Sequence, residues 1–142
     1  MTDLYTKAYN FAREAHASQV DDNGDPYFNH CQHVMEIVAQ VTEDVEMLAA
    51  ALLHDVIEDT DTTYEDLVRE FPQRVADLVY EVTHEGRKDN YGYYFPRLKS
   101  KDAILIKLAD RMSNITRMES WDDDRREHYL KRTKFWKDGS DR

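Results

Sequence analysis

The sequence predicts an all-α fold on two observations. Apolar residues recur at intervals of three and four along most of the chain, and only 4 Gly and 3 Pro occur in 142 residues. An all-β fold needs frequent turns, and turns draw heavily on those two residue types. The hydrophobic share of 41% is that of an ordinary globular protein. A chain of this length can enclose one compact core, so a single domain over residues 1–142 is expected.

Each element follows from its own pattern. Leu4, Ala8, Phe11, Ala12 and Ala15 share one face, which predicts a first helix from Asp3 to Ser18. Asp21-Asp22-Asn23-Gly24-Asp25-Pro26 predicts a surface loop, because Gly and Asn accept positive φ and Pro fixes φ. Val34, Ile37, Val38 and Val41 predict a helix from His30 to Val41. Val45 to Glu58 reads as one continuous buried helix, apolar through Ala49-Ala50-Ala51-Leu52-Leu53 and acidic at its end. Thr62-Thr63-Tyr64-Glu65 matches a capping box that opens a helix running to Phe71. Pro72 suits the first turn of the next helix, whose Val75, Leu78, Val79 and Val82 lie on one side and which should stop near Thr83. A Gly- and Tyr-containing loop is expected from Glu85 to Pro96. A long helix from Leu98 to Met118 follows, read from Leu105, Leu108, Ala109, Met112 and Ile115, and then an amphipathic helix from Asp123 to Trp136.

Charge narrows the function classes. With 29 acidic and 19 basic side chains the formal net charge is -10, which opposes non-specific binding to nucleic acid or anionic membranes. No segment is long and apolar enough to span a bilayer, and Met1 to Lys7 reads as the start of a helix rather than a signal peptide. Cys31 is the single cysteine, so no intramolecular disulfide forms; a reducing, cytoplasmic location is expected. A homo-oligomer stays open.

Chemistry concentrates in His54-Asp55 and the Glu58-Asp59 that follow. On a continuous helix an offset of four stacks His54 over Glu58 and Asp55 over Asp59, beside a strongly apolar run that would anchor them. Imidazole with carboxylate suits Mn, Fe or Zn better than Ca. One His-Asp pair cannot complete a coordination shell, but a helical bundle could bring His30 and Asp110 to the same ion. His33, one turn after His30, could compete for that ion, whereas His16, His84 and His128 read as structural or solvated.

Gly24-Asp25-Pro26-Tyr27-Phe28-Asn29-His30, Ala50 to Thr60 around His54-Asp55, and Ile106-Lys107-Leu108-Ala109-Asp110-Arg111 together resemble the HD-domain phosphohydrolases, and within them the alarmone-hydrolase branch that removes the 3′-pyrophosphate of ppGpp. The resemblance runs from Ala12 to Arg117 and more faintly to Trp136. It implies an HD-domain helical bundle in which His30, His54, Asp55 and Asp110 hold a divalent metal, Mn2+ in this branch, and Glu58 and Asp59 handle the attacking water. It also implies a small-molecule nucleotide substrate contacted by Asn114 and Tyr129. Lys107 and Arg111 share the Asp110 face and could join them, and Arg87 and Lys88 could approach the pyrophosphate. Without the further domains of the long bifunctional relatives, the chain is expected to act as a hydrolase only.

Three stretches depart from the family pattern. Asp21-Asp22 stand where two basic residues usually hold the guanine and its phosphates, Cys31 replaces a Pro, and Asn114 is followed by Ile115, Thr116 and Arg117 rather than Arg-Thr. Two anions in place of two cations should weaken binding of that substrate, or else mark a different base or phosphate arrangement, with ppApp as the alternative to ppGpp. An HD-type phosphohydrolase of other nucleotides and a non-catalytic nucleotide sensor are the competing readings.

Overall fold

A computed structural model describes residues 3–21, 24–83 and 99–116. The described residues form helices joined by turns and no strand, in the order α1 (Leu4–Ala15), α2 (Phe28–Ala39), α3 (Val45–Leu53), α4 (Val56–Asp59), α5 (Tyr64–Glu70), α6 (Gln73–Val82) and α7 (Lys101–Thr116). The expected loop from Glu85 to Pro96 and helix from Asp123 to Trp136 lie outside them.

The centre of the fold is α3. It is apolar on every side, burying Met47, Ala49, Ala50, Ala51, Leu52 and Leu53, and it packs against α1, α2, α6 and α7. Three consecutive alanines let those neighbours approach closely, while Leu52 and Leu53 fill the space between them. Truncating either leucine to Ala should cost about 2–5 kcal/mol, from lost transfer energy and the cavity left behind. Asp44 starts the helix by accepting the Glu46 N–H at 3.0 Å.

Four local expectations change. The helix expected through Glu58 breaks at His54-Asp55, which form a turn between α3 and α4. The cause is a side chain: His54 Nδ1 lies 2.7 Å from the Ala51 carbonyl, the acceptor that a continuing helix would give to the Asp55 N–H. The first helix ends at Ala15 rather than Ser18, with His16 as its C-cap. The capping box sits one residue later than expected, on Thr63 and Asp66, because Thr62 is tied back to Thr60 through its N–H at 3.1 Å.

The fourth change concerns α7. Its buried face is Ala103, Ile106, Ala109, Asp110 and Ser113, whereas Leu108, Met112 and Ile115 are exposed. The helix is rotated so that two polar residues face inward, where α2 offers them imidazole partners.

The loop between α1 and α2 is stapled shut. The Asp25 N–H donates to Asp21 Oδ1 at 3.1 Å, the Asp21 N–H to the Asp25 carbonyl at 2.8 Å and the Tyr27 N–H to the Gln19 carbonyl at 2.9 Å. Gly24 supplies the positive φ of 83° that the turn requires. The result places Gln19 beside Tyr27. No helix among the described residues is long and apolar enough to cross a membrane.

Candidate metal centre

His30 comes from the first turn of α2, His54 and Asp55 from the turn between α3 and α4, and Asp110 from the inward face of α7. All four are buried. One donor atom from each lies within 4.8 Å of the others. His30 Nε2 is 2.8 Å from Asp110 Oδ1 and 3.6 Å from Asp55 Oδ2; His54 Nε2 is 3.3 Å and 2.9 Å from the same two oxygens. Donors that each sit roughly 2.1 Å from one ion are about 3–4 Å apart, so this set closes around an ion with small side-chain movements. Two imidazoles and two carboxylates suit a first-row divalent cation.

The hydrogen bonds behind the histidines orient them for that role. His54 Nδ1 must donate to the Ala51 carbonyl at 2.7 Å, which leaves Nε2 as the lone pair facing the cluster. His30 Nδ1 is 2.9 Å from Ser113 Oγ, and the same oxygen is 2.9 Å from His33 Nδ1. The consistent assignment has His30 Nδ1 donating to Ser113 and the Ser113 hydroxyl donating to His33. His33 therefore stands behind His30, and it does not belong to the four-residue set.

Electrostatics couple the four groups. Burial alone would raise both carboxyls, but the His54 imidazole holds Asp55 far below the usual carboxylate range. Lys107, His30 and His54 do the same for Asp110 against its burial. Burial depresses His30, with Asp110 pulling the other way. For His54 burial is overcome by Asp55 and Asp110, so its pKa rises well above the ordinary value. The ion-free cluster thus holds its proton on His54. Tyr27 donates its hydroxyl to Asp55 Oδ2 at 2.7 Å; burial and the Asp55 charge push the phenol far above its usual pKa, so it stays a donor.

Glu58 and Asp59 are exposed, on the short α4 immediately beyond the buried set. Desolvation on its inner side and the Asp55 charge raise the Asp59 pKa, against His16, a hydrogen bond from Tyr27 and His54. A carboxylate so placed binds a proton more readily than a free surface acid.

Of the expected substrate residues, Lys107 Nζ lies 3.4 Å from Asp110 Oδ2, and Asn114 Nδ2 donates to Asp110 Oδ1 at 3.3 Å. Both border the four-donor cluster. Arg111 is half-buried on the same helix. Asp21 accepts a main-chain N–H within its own loop, after α1. Asp22, Arg87, Lys88 and Tyr129 lie outside the described residues. Sequence reading missed Ser113, Gln19 and the hydroxyl role of Tyr27; the motif around Tyr27 was visible, but nothing local marks the other two.

A helical fold with a buried two-His, two-Asp set beside an exposed acid pair offers a place where a divalent ion could be held. The HD domain family matches residues 8–92, and this chain belongs to that family. Among its relatives is the guanosine-3′,5′-bis(diphosphate) 3′-pyrophosphohydrolase of Aquifex aeolicus, 37% identical over 135 residues, covering 89% of this chain and 19% of that protein. The similar enzyme MESH1 of Danio rerio is 37% identical over 144 residues, 91% of this chain and 79% of that protein. The solved structure of a metazoan SpoT ortholog that hydrolyses ppGpp superposes with a TM-score of 0.80 at 32% identity, covering 94% of this chain and 83% of the other. The chain spans about a fifth of the length of the long relatives it matches (19% and 20%).

Proposed function

We propose that the protein is a divalent-metal-dependent pyrophosphohydrolase that removes the 3′-pyrophosphate of an alarmone nucleotide of the ppGpp type in the cytoplasm. The observation that carries this reading is the pairing of a buried four-donor cluster with an exposed acid pair one turn away. The pyrophosphohydrolase names of its relatives, and the ppGpp activity stated for the SpoT ortholog, point to the same substrate class.

His30, His54, Asp55 and Asp110 would hold the ion, and we assign it as Mn2+. When bound, it supplies charge neutralisation for the phosphate under attack and acidifies water. The protein groups do the rest. Asp59, with its raised affinity for a proton, accepts one from the attacking water, and Glu58 beside it returns one to the departing ribose oxygen. Water adds to the phosphorus attached to the ribose 3′ oxygen, the bond between that phosphorus and the oxygen breaks, and pyrophosphate leaves. Tyr27 holds Asp55 in place by donating to it. Lys107, Arg111 and Asn114 on α7, together with Tyr129, contact the nucleotide; Asp21 and Asp22 bear on the choice between ppGpp and ppApp.

The test is a panel of ppGpp, ppApp and ordinary nucleoside triphosphates with Mn2+, read by product identity. Pyrophosphate from either alarmone is the expected result. Orthophosphate or tripolyphosphate from ordinary nucleotides alone would replace the alarmone assignment, and tight binding without any turnover would replace hydrolysis with sensing.

A further inference from the structure

The end of α1 carries a buried imidazole that the hydrolytic scheme does not use. His16 is 1% exposed, stands outside the four-donor set and has one ring nitrogen, Nε2, without a hydrogen-bond partner among the described residues. Its other nitrogen, Nδ1, lies 2.8 Å from Gln19 Oε1. An amide oxygen only accepts, so Nδ1 carries the proton. The amide's orientation is settled at its far end, where Gln19 Nε2 donates to the Asp59 main-chain carbonyl at 2.7 Å.

That carbonyl matters because α4 spans only four residues. The last carbonyls of a helix have no partner within it, and Gln19 supplies one from 40 residues away. Gln19 is itself gripped by its main chain: its N–H donates to the His16 carbonyl and its carbonyl accepts from Tyr27 N–H, both at 2.9 Å. Its side chain thus joins the end of α1 to the end of α4. The His16 ring also stands 5.2 Å from the Tyr27 ring, whose hydroxyl reaches Asp55.

We propose that His16, acting through Gln19, is a positioning residue that holds Asp59 at the mouth of the metal centre. This rests on the hydrolytic reading for its catalytic consequence but not for its structural core. A buried polar nitrogen without a partner is unfavourable, and a hydrophobic residue would fill the same volume without that cost. The imidazole provides what such a residue cannot: a fixed donor that keeps the Gln19 amide from flipping.

Two variants separate these roles. His16→Asn keeps a donor nitrogen attached to Cγ, where Nδ1 was, and loses Nε2; His16→Leu loses both. Backbone amide NMR of the zinc-loaded protein reads the structural core directly, since the Thr60 amide shares its peptide group with the Asp59 carbonyl. The Thr60 signal should move in His16→Leu and in Gln19→Met, and stay near its wild-type position in His16→Asn. With pyrophosphate release as the second readout, His16→Leu and Gln19→Met should lose about 10- to 100-fold in kcat, with KM and zinc affinity within about twofold of wild type. His16→Asn should recover most of the loss. An unmoved Thr60 signal in both His16→Leu and Gln19→Met overturns the proposal whether or not the wild-type protein hydrolyses ppGpp. Wild-type kcat in both variants, or zinc affinity falling in step with kcat, overturns the catalytic half. Absence of turnover by wild type, with Thr60 moving as expected, instead contradicts only the hydrolytic reading.

Discussion

Two polar clusters tie α7 to the rest of the fold, and they are built on opposite principles. At the surface, Arg74 of α6 meets Asp44 at 2.8 Å, Glu46 at 3.0 Å and Asp102 at 2.8 Å; its side chain is 40% exposed. The protein brings its own cation, and water screens what is left. In the interior, Asp55 and Asp110 face two imidazoles, with Lys107 reaching one carboxylate at 3.4 Å. Burial there magnifies every unbalanced charge. The surface cluster carries a fixed cation, whereas the buried cluster offsets its carboxylates partly with a proton on His54 that a bound ion would displace.

The largest expected effect is on the buried side. Asp110→Asn should abolish saturable binding of a divalent ion, measured by titration calorimetry, because it removes a charged donor and the acceptor of both His30 and His54. Undiminished binding would break the distinction between the clusters. Next, Ser113→Ala should weaken ion affinity about 10- to 100-fold without changing the donor set, since the hydroxyl fixes the His30 tautomer.

The ion should also compete with protons. His54 is raised well above its ordinary pKa and so is protonated near neutral pH in the ion-free protein, whereas His30 is lowered and already neutral. Ligation needs a bare Nε2 on both. Binding should therefore release about one proton rather than two, and affinity should fall about tenfold per pH unit as pH drops below the raised His54 value. Calorimetry in buffers of different ionisation enthalpy counts that proton. The smallest effect belongs to the surface: Arg74→Met should cost about 1 kcal/mol or less in thermal unfolding and leave ion affinity unchanged.

The same contrast explains what the sequence made legible. Helix existence followed from apolar spacing: α1, α2, α5, α6 and α7 each overlap an expected helix, although α1 ends at Ala15 rather than Ser18 and α2 spans Phe28–Ala39 rather than His30 to Val41. The break at His54-Asp55 did not, because it depends on His54 taking the Ala51 carbonyl, a competition that spacing does not encode. Two overlapping hydroxyl and acid pairs, Thr62 with Glu65 and Thr63 with Asp66, left the helix start ambiguous by one residue. Counting apolar residues on α7 chose Leu108, Met112 and Ile115 as its mark, but the polar Asp110 and Ser113 turn inward because their partners do. The His-Asp-Glu-Asp signature could be read locally. Ser113 and Gln19 could not, since their partners lie 83 and 40 residues away.

The most direct measurement of the central claim follows pyrophosphate release from ppGpp and ppApp after chelation and then readdition of Mn2+, in wild type and in Asp59→Asn. Wild-type release should stop with chelator and return with Mn2+, while Asp59→Asn should still bind the ion yet lose about 10²- to 10⁴-fold in kcat. Release that persists in chelator, or an Asp59→Asn variant as active as wild type, would contradict the account.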